Sequence, residues 1–592
     1  MEEYISSYPE YARKANSKVK MILLVLVIIA ALISVSALAV INFFPEVIFS
    51  LMPKNMYLLV ENQAKEKLEK QIGDSFKDGF VQDSIKAFNN PHKSQSEVSA
   101  KLKTDKLTGS LAEQFNSANE IISSSKLTFT RAADYEKEQV SNSLSLMVKG
   151  NDLLQAELFL DKEKAGFGIP KIYNKYFTVN TDNLSPLMET LGQTNGLKKF
   201  PTDVDIIKAI KFDKKELENV AKDYAKFYAD YISDRDVTFT KGVEIDTTEG
   251  KIKCNQITLK FDKERLKDFE IKLAEKATND DRLLNLTVGN YINVVKLFEE
   301  SGLFDAYGGL PEEQKDMNSM KKKFEEEIKK FKNDPNNSNT EMVMTLLIDR
   351  NFNVLERKVQ LIQNDDNNDN TTSFRLASYK LPKSKANNSI FQVMFDNRKD
   401  TSKNGGIKLT NLETAVAKGK STRKITYDVI GIRDGEENKI ASAVYDININ
   451  EIKDKHKEIT VNYDATIKSG FIETEESKLT GKLLMSLDRD PAQKAINSKI
   501  NADYDIKIPG QGIQGNDEFG IIYSINNNTK YDVPVELPKL ESSNTVDLNT
   551  ASLDELKNEF QTIQMKVEAF VIQYAELFNI NPAQFMNPTQ VQ

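Results

Sequence analysis

SNSLSLMVKGNDLLQAELFL, residues 141–160, is two apolar-alternating runs set around Gly150-Asn151-Asp152. Leu144 and Leu146 recur at every second position, and so do Leu154, Ala156 and Leu158. A period of two places these side chains on one face of a strand, and Gly-Asn-Asp is a turn former, so the stretch predicts an antiparallel hairpin with one covered face.

The same rule extends outward. Val98, Ala100 and Leu102 alternate with polar residues, and Leu127 and Phe129 follow suit; Lys164–Gly168 and Ile172–Thr178 continue the meander. Further on, strands are expected at 341–349, 353–363, 373–381, 390–396, 424–433, 438–449, 457–467, 478–487 and 501–508, separated by Asn/Asp/Gly turns. Such spacing is that of a large antiparallel sheet or open barrel.

Helical periodicity appears between the strand runs. Residues 55–80 carry Leu58, Leu59, Ala64, Leu68 and Ile72 at helical spacing. Residues 213–233 begin with Asp213 and Glu216 as a cap and carry Val220, Tyr224, Phe227, Tyr228 and Tyr231 as a stripe. Helices are also expected over 279–301 and 311–332. Ser552-Leu-Asp-Glu555 opens a last helix whose Leu556, Phe560, Ile563, Val567 and Phe570 share a face that must dock on something. Two junctions look alike: Ile210-Lys-Phe-Asp-Lys-Lys-Glu-Leu217 and Leu259-Lys-Phe-Asp-Lys-Glu-Arg-Leu266, each read as a strand ending at Phe and a helix capped by Asp.

Residues 21–44, MILLVLVIIAALISVSALAVINFF, hold no charge, Pro or Gly. A helix of that length spans a hydrocarbon core of about 30 Å. Arg13, Lys14, Lys18 and Lys20 precede it and few basic residues follow, which sets the N-terminus in the cytoplasm. Ala37-Leu38-Ala39 resembles a leader-cleavage site, but the apolar run outlasts a leader's core, so an uncleaved anchor is expected.

Composition narrows the function classes. Of 592 residues 40% are hydrophobic and 28% charged, enough to fold and bury a core. The net charge of −8, with Lys and Glu interspersed, gives no basic face for nucleic acid. A single cysteine, Cys254, permits no internal disulfide, and strand alternation makes it a small core residue. With two histidines, His92 and His456, both expected on surface loops, there is no His-based zinc site or triad. Gly419-Lys420-Ser421-Thr422 ends like a phosphate loop but has Thr414 where Gly is needed and a strand after it. Asp365–Asn370 alternates oxygen ligands but lacks the Gly and Glu of a calcium loop. Ser-x-x-Lys at Ser17, Ser123 and Ser319 has no Lys-Thr-Gly partner. No catalytic, cofactor-binding or metal residue is assigned, and no cofactor is implied.

The hairpin near 141–178 and the two Lys-Phe-Asp-Lys junctions resemble a signal-anchored envelope protein family of low-GC Gram-positive bacteria, some of which are similar to lipoprotein-carrier half-barrels, a curved antiparallel sheet wrapped on a helix. The resemblance implies an α+β fold: an N-terminal transmembrane helix followed by an ectodomain of antiparallel curved sheets or half-barrels packed with helices. The expected divisions are a cytoplasmic N-terminus 1–20, the transmembrane helix 21–44, a stalk 45–95, a first α+β lobe 96–332, a second β-rich lobe 333–545 and the C-terminal helix 546–592. The expected location is the cell membrane, single-pass, with the main part extracytoplasmic. Its partners would be the membrane, through that one helix, and a protein through the C-terminal helix; nucleic acid is excluded. The function classes are a binding or carrier module for an apolar or peptide ligand, a structural or assembly protein of the envelope or spore, and a cell-wall enzyme, for which no residue constellation speaks.

Overall fold

The computed structural model describes residues 53–578, apart from 106, 108, 191, 193–196, 211–212, 305–315, 334–339, 365–368, 398, 400–403, 434–435, 453–454, 469–475 and 509–516. Helices α1 (Pro53–Phe76) and α2 (Gly79–Asn89) lead into β1 (His92–Lys103) and α3 (Gly109–Ser123). A meander follows: β2 (Ser125–Asp134), β3 (Gln139–Val148), β4 (Asn151–Asp161), β5 (Lys164–Ile169) and β6 (Tyr173–Asn180). Three helices intervene, α4 (Ser185–Thr190), α5 (Asp203–Ala209) and α6 (Lys214–Tyr231), before β7 (Val237–Thr247) and β8 (Gly250–Phe261). Then come α7 (Lys263–Asn279), α8 (Asp281–Leu284), α9 (Asn290–Glu300) and α10 (Met317–Asn333). The long meander is β9 (Thr340–Ile348), β10 (Val354–Asn364), β11 (Asp369–Lys380), β12 (Asn387–Asn397), β13 (Gly405–Ala417), β14 (Lys420–Arg433), β15 (Glu436–Ile452), β16 (His456–Lys468), β17 (Glu476–Asp490), β18 (Ala495–Ile508) and β19 (Asp517–Tyr531). The short β20 (Thr545–Asp547) and α11 (Leu553–Tyr574) close the description.

All the described strands belong to one 20-stranded sheet. Neighbours along it run β7-β8-β9 and onward in chain order to β19, then β1-β2-β3-β4-β5-β6-β20. Pairing is antiparallel throughout, except that β20 lies parallel to β6. Strands from either side of residue 333 pair directly, Leu259 with Met344 and Val98 with Ile525. Among the described pairings none joins β7 to β6 or β20, so hydrogen bonds leave the sheet open.

Helices close the circuit instead. Flat, the sheet would extend roughly 90 Å at about 4.8 Å per strand. Yet α7 packs on β8 and β9 through Leu266, Phe269 and Leu273, and from its end to Ser301 is roughly 30 Å of helix. The Ser301 carbonyl accepts from Lys198 N at 2.7 Å, the Lys198 carbonyl from Leu184 N at 2.7 Å, and Thr181, directly after β6, accepts from Phe200 N at 2.8 Å. The sheet must therefore curl until its ends lie within reach of this helical layer.

The main core sits under α1, α6 and α7 at the β7–β10 end. Tyr57, Val60, Tyr224 and Phe269 meet Ile257, Leu259, Met344 and Leu346. Local chemistry starts these helices as the sequence indicates: Asp213 accepts from Glu216 N at 2.9 Å and Asp262 from Arg265 N at 2.8 Å. A second core covers the other face of β8, where Ile245 and Cys254 join Ala377, Tyr379 and Ile390.

Several expectations are corrected. The described part of the chain is not an α+β assembly of separate curved sheets or half-barrels; strands predominate in it and form one sheet. Residues 21–44 lie outside the described residues, and no described helix is long and apolar enough to cross a membrane. The single-helix anchor, the membrane partnership through it and the single-pass envelope location drawn from it are corrected accordingly. The 141–160 hairpin forms, but its turn is Lys149-Gly150, both at positive φ, one residue earlier than the Gly-Asn-Asp reading. The first Lys-Phe-Asp-Lys junction follows helix α5 and not a strand, while Lys211 and Phe212 lie outside the described residues.

Candidate apolar-ligand surface

One face of the sheet is apolar across nearly its whole width. Because successive residues of a strand alternate faces, the pairing register fixes which side chains line up. Ile449, Ile459, Met485, Ile500, Ile525, Val98, Leu127, Leu146 and Leu154 form a single row from β15 to β4. A parallel row reaches the other way: Tyr427, Leu409, Phe391 and Leu376 run from β14 to β11. The opposite face carries ion pairs such as Lys478–Asp464 at 3.1 Å and Lys126–Glu97 at 2.7 Å, and in β11 and β12 it holds the second core through Ala377, Tyr379 and Ile390.

Helices cover only parts of the apolar face. At the β7–β10 end α1, α6 and α7 bury it, and Arg357 of β10 meets Glu61 of α1 beneath them. The Tyr57 and Tyr228 hydroxyls lie 2.9 Å apart beside this pair, and burial pushes the Tyr57 phenol well above its ordinary range. At the β6 end α11 rests on Tyr173, Lys175 and Phe177: the Phe560 and Phe177 rings stack at 6.2 Å, and Lys175 Nζ meets Glu559 Oε1 at 2.6 Å. Two shorter helices flank the strand ends between. Arg489 of β17 bonds the buried carboxylate of Asp83 on α2, and Phe115 of α3 faces Phe519 of β19 at 6.1 Å.

Between these covers the apolar side chains stay open. Leu158 is 52% exposed, Leu376 48% and Tyr445 37%. Large side chains this accessible, in register across many strands, form a continuous apolar patch rather than scattered surface residues.

The middle of the open face is a tyrosine ladder. Tyr445 and Tyr463 pair across β15 and β16 with ring centroids 6.5 Å apart; Tyr463 and Tyr504 stand at 4.8 Å and Tyr504 and Tyr523 at 5.7 Å. Gly481 of β17 lies between Tyr463 and Tyr504; a Cβ there would meet the Tyr463 hydroxyl at 2.2 Å. The hydroxyls turn to one another and to the backbone: Tyr504 to Tyr523 at 3.4 Å, and Tyr463 donates to the Asp503 carbonyl at 3.4 Å. The hydrogen bond with Tyr523, together with burial, pushes the Tyr504 phenol up to about 12, so these rings stay neutral.

The singled-out motifs do not converge. Gly419 is a hairpin turn residue at φ 73° between β13 and β14. His92 and His456 open strands rather than lying in loops, and His456 Nδ1 is 2.6 Å from Asp488, which raises the imidazole pKa. Cys254 is buried, its Sγ 3.4 Å from the Val243 carbonyl, and burial pushes its thiol up. Residues 365–368 of the calcium-like loop and Ser17 lie outside the described residues. Among the described residues no three His, Cys, Asp or Glu side chains gather as a metal site. Sequence reasoning missed β13 and β19, and with β19 the row that joins Tyr504 to Tyr523 and β1; the alternation Ile521, Tyr523, Ile525 was the available signal.

The fold and this surface define a β protein built on one sheet with an open apolar face. Its sequence matches no protein family and no curated protein. Among solved structures it is similar to OpdL of Pseudomonas aeruginosa, at 6% identity over 74% of this chain and 98% of that one, with a TM-score of 0.22. A BenF-like porin from Pseudomonas fluorescens Pf-5 has 5% identity over 75% and 98%, with a TM-score of 0.22. Likeness at this level carries no argument about what this chain does.

Proposed function

We propose that the protein is a binding or carrier module for an elongated apolar ligand, held on the open face between β11 and β5. The observation that carries the reading is the register itself: rows of aliphatic and aromatic side chains crossing strand after strand, with Leu376, Leu409, Tyr427, Tyr445, Leu127 and Leu144 each more than a third exposed. Leaving that surface in water is unfavourable by about 25 cal/mol per Å² of apolar area. An apolar occupant removes the penalty without needing a polar partner. Strands of this length could also cross a bilayer, but spanning sheets must close, and among the described residues no strand pairs with the outer side of β7, while helices cover the apolar face there.

The test is a photo-crosslinking residue at Tyr445 on the apolar face and, separately, at Lys482 on the polar face of the full chain in cells. An apolar small-molecule adduct at Tyr445 and none at Lys482 is expected. No adduct at Tyr445, or equal labelling at both positions, would overturn the reading.

A second reading, assembly with a protein, draws on α11. Leu556 is buried, yet Phe560, Met565 and Ile572 of the same helix remain exposed. A protein adduct captured at Met565 would favour it; none, with an apolar adduct at Tyr445, favours the carrier.

A further inference from the structure

Resting on the carrier reading, we propose that the open face is a track for the acyl chains of membrane lipids, holding several at once along one continuous surface. Length is the first ground. From β11 to β19 and on through β1 to β5 the open strands extend roughly 60 Å at about 4.8 Å each. An acyl chain reaches roughly 15 Å, half of a hydrocarbon core of about 30 Å. One chain would leave most of the face wet.

Polarity is the second ground. A protein occupant would be met by about one hydrogen bond per 100–200 Å² of interface. The central strands offer few such partners on this face, and those bond one another: Ser94 Oγ and Ser96 Oγ donate to Asn527 Oδ1 at 3.0 and 3.1 Å. From β14 to β17 the mid-strand positions on it are aliphatic, aromatic or Gly481, Ser498 of β18 and Asn527 of β19 pair with each other beside the row of Ile500 and Ile525, and the hydroxyls of Tyr463, Tyr504 and Tyr523 are turned inward to the ladder and the backbone. The charges on this face are few and partnered, as in the Arg423–Glu413 pair at 2.9 Å and Arg131, which donates to the Tyr135 hydroxyl at 3.2 Å. A surface whose central row is aliphatic from β15 to β4 matches hydrocarbon better than a second copy of this chain or a folded partner.

Continuity is the third. The row through Ile449, Ile500, Val98 and Leu146 passes from the long C-terminal meander into the N-terminal one without a polar break. Neighbouring chains would therefore share one surface and not occupy walled pockets.

The experiment places a photo-crosslinking residue in the full chain at Leu376, at Tyr445 or at Leu144, which sample β11, β15 and β3. Lipid-mass adducts at all three positions are expected. Adducts at only one would leave the carrier reading standing and overturn the track; a protein-mass adduct would overturn the lipid. A second arm adds Ala443→Asp with Ala465→Asp, a facing pair on β15 and β16, in a variant whose melting curve matches that of Ala443→Ser with Ala465→Ser. A buried charge bars hydrocarbon, so the adduct yield should fall about fivefold or more on one side of the block, at Leu376 or at Leu144, and persist on the other. Unchanged yields on both sides, as for a sheet bathed in bilayer, or equal loss on both would overturn passage along the face.

Discussion

Tyr463 and Tyr504 lie with ring centroids 4.8 Å apart although a whole strand, β17, runs between theirs. Gly481 makes the approach possible by presenting no side chain at the crossing. The same device works on the polar face: Gly520 of β19 sits between Asp505 and Lys103, whose Nζ and Oδ1 meet at 2.7 Å. Missing side chains in middle strands thus let second-neighbour strands interact directly, which ties β1 to β18 and stiffens the ladder.

It follows that Gly481→Leu should be costly. The added Cβ alone would lie 2.0 Å from the Asp503 carbonyl oxygen, so the backbone must shift as well as Tyr463. Overpacking of this kind costs about 1–3 kcal/mol. A lowered melting temperature is expected, together with altered tyrosine fluorescence. Tyr463→Phe, which keeps the ring, should change stability far less; equal losses in the two variants would show that the ring contact is not what matters.

Arg489→Leu should destabilise the α2 corner. Asp83 is fully buried, and although burial works against its charged form, hydrogen bonds from Arg489 and Lys86 hold its pKa below the ordinary value. Removing Arg489 leaves that buried carboxylate without its guanidinium partner and with Lys86 at 3.3 Å, at a cost of up to about 3–5 kcal/mol. The double variant Asp83→Leu, Arg489→Leu should recover much of the loss. Denaturant midpoints check both; a double variant as unstable as the single would show that the residual charge is not the cause.

What the sequence made visible was local. Capping at Asp213, Asp262 and Ser552 and the period of β3 and β4 depend on residues a few positions apart, so they could be read directly. The Asn526-Asn527-Asn528 run looks like a turn, yet it lies mid-strand because the side chains find partners across the sheet: Ser94 Oγ donates to Asn527 Oδ1 at 3.0 Å, and Asn528 donates to Asn497. The insertion of β1 between β19 and β2 pairs His92 with Tyr531 and with Ala133; no local period encodes a contact that distant. The apolar face was therefore readable strand by strand, but its continuity was not.

Glu270 of α7 predicts a pH effect. Desolvation pushes its carboxyl up from 4.5 to about 7. A group whose pKa is raised on folding binds its proton more tightly in the fold. Its contribution to stability is fully present below about pH 4.5 and is lost as pH rises through about 7. Denaturation at about pH 5 and about pH 8 should show this fall superimposed on all other titrations, and Glu270→Gln should reduce it. An identical pH dependence in the variant would remove Glu270 as its source.

The last prediction separates a surface kept for binding from one kept for stability. Leu346 and Leu409 lie on the same face of the same sheet, but Leu346 is fully covered beneath the helices and Leu409 is 37% exposed. Leu346→Ala should leave a cavity and cost about 2–5 kcal/mol. Leu409→Asp places its charge where water already reaches, so its cost should stay below about 1 kcal/mol. If the open face served only to hold the fold, the Leu409 substitution would be silent in every assay that the folded protein passes. If it binds hydrocarbon, Leu409→Asp should cut lipid crosslinking from the neighbouring Phe391 position while the melting curve barely moves. Leu346→Ala should do the reverse, lowering the melting temperature and leaving the crosslinks of the remaining folded molecules intact. A Leu409 variant that keeps full crosslinking would mean that the face is exposed without being used.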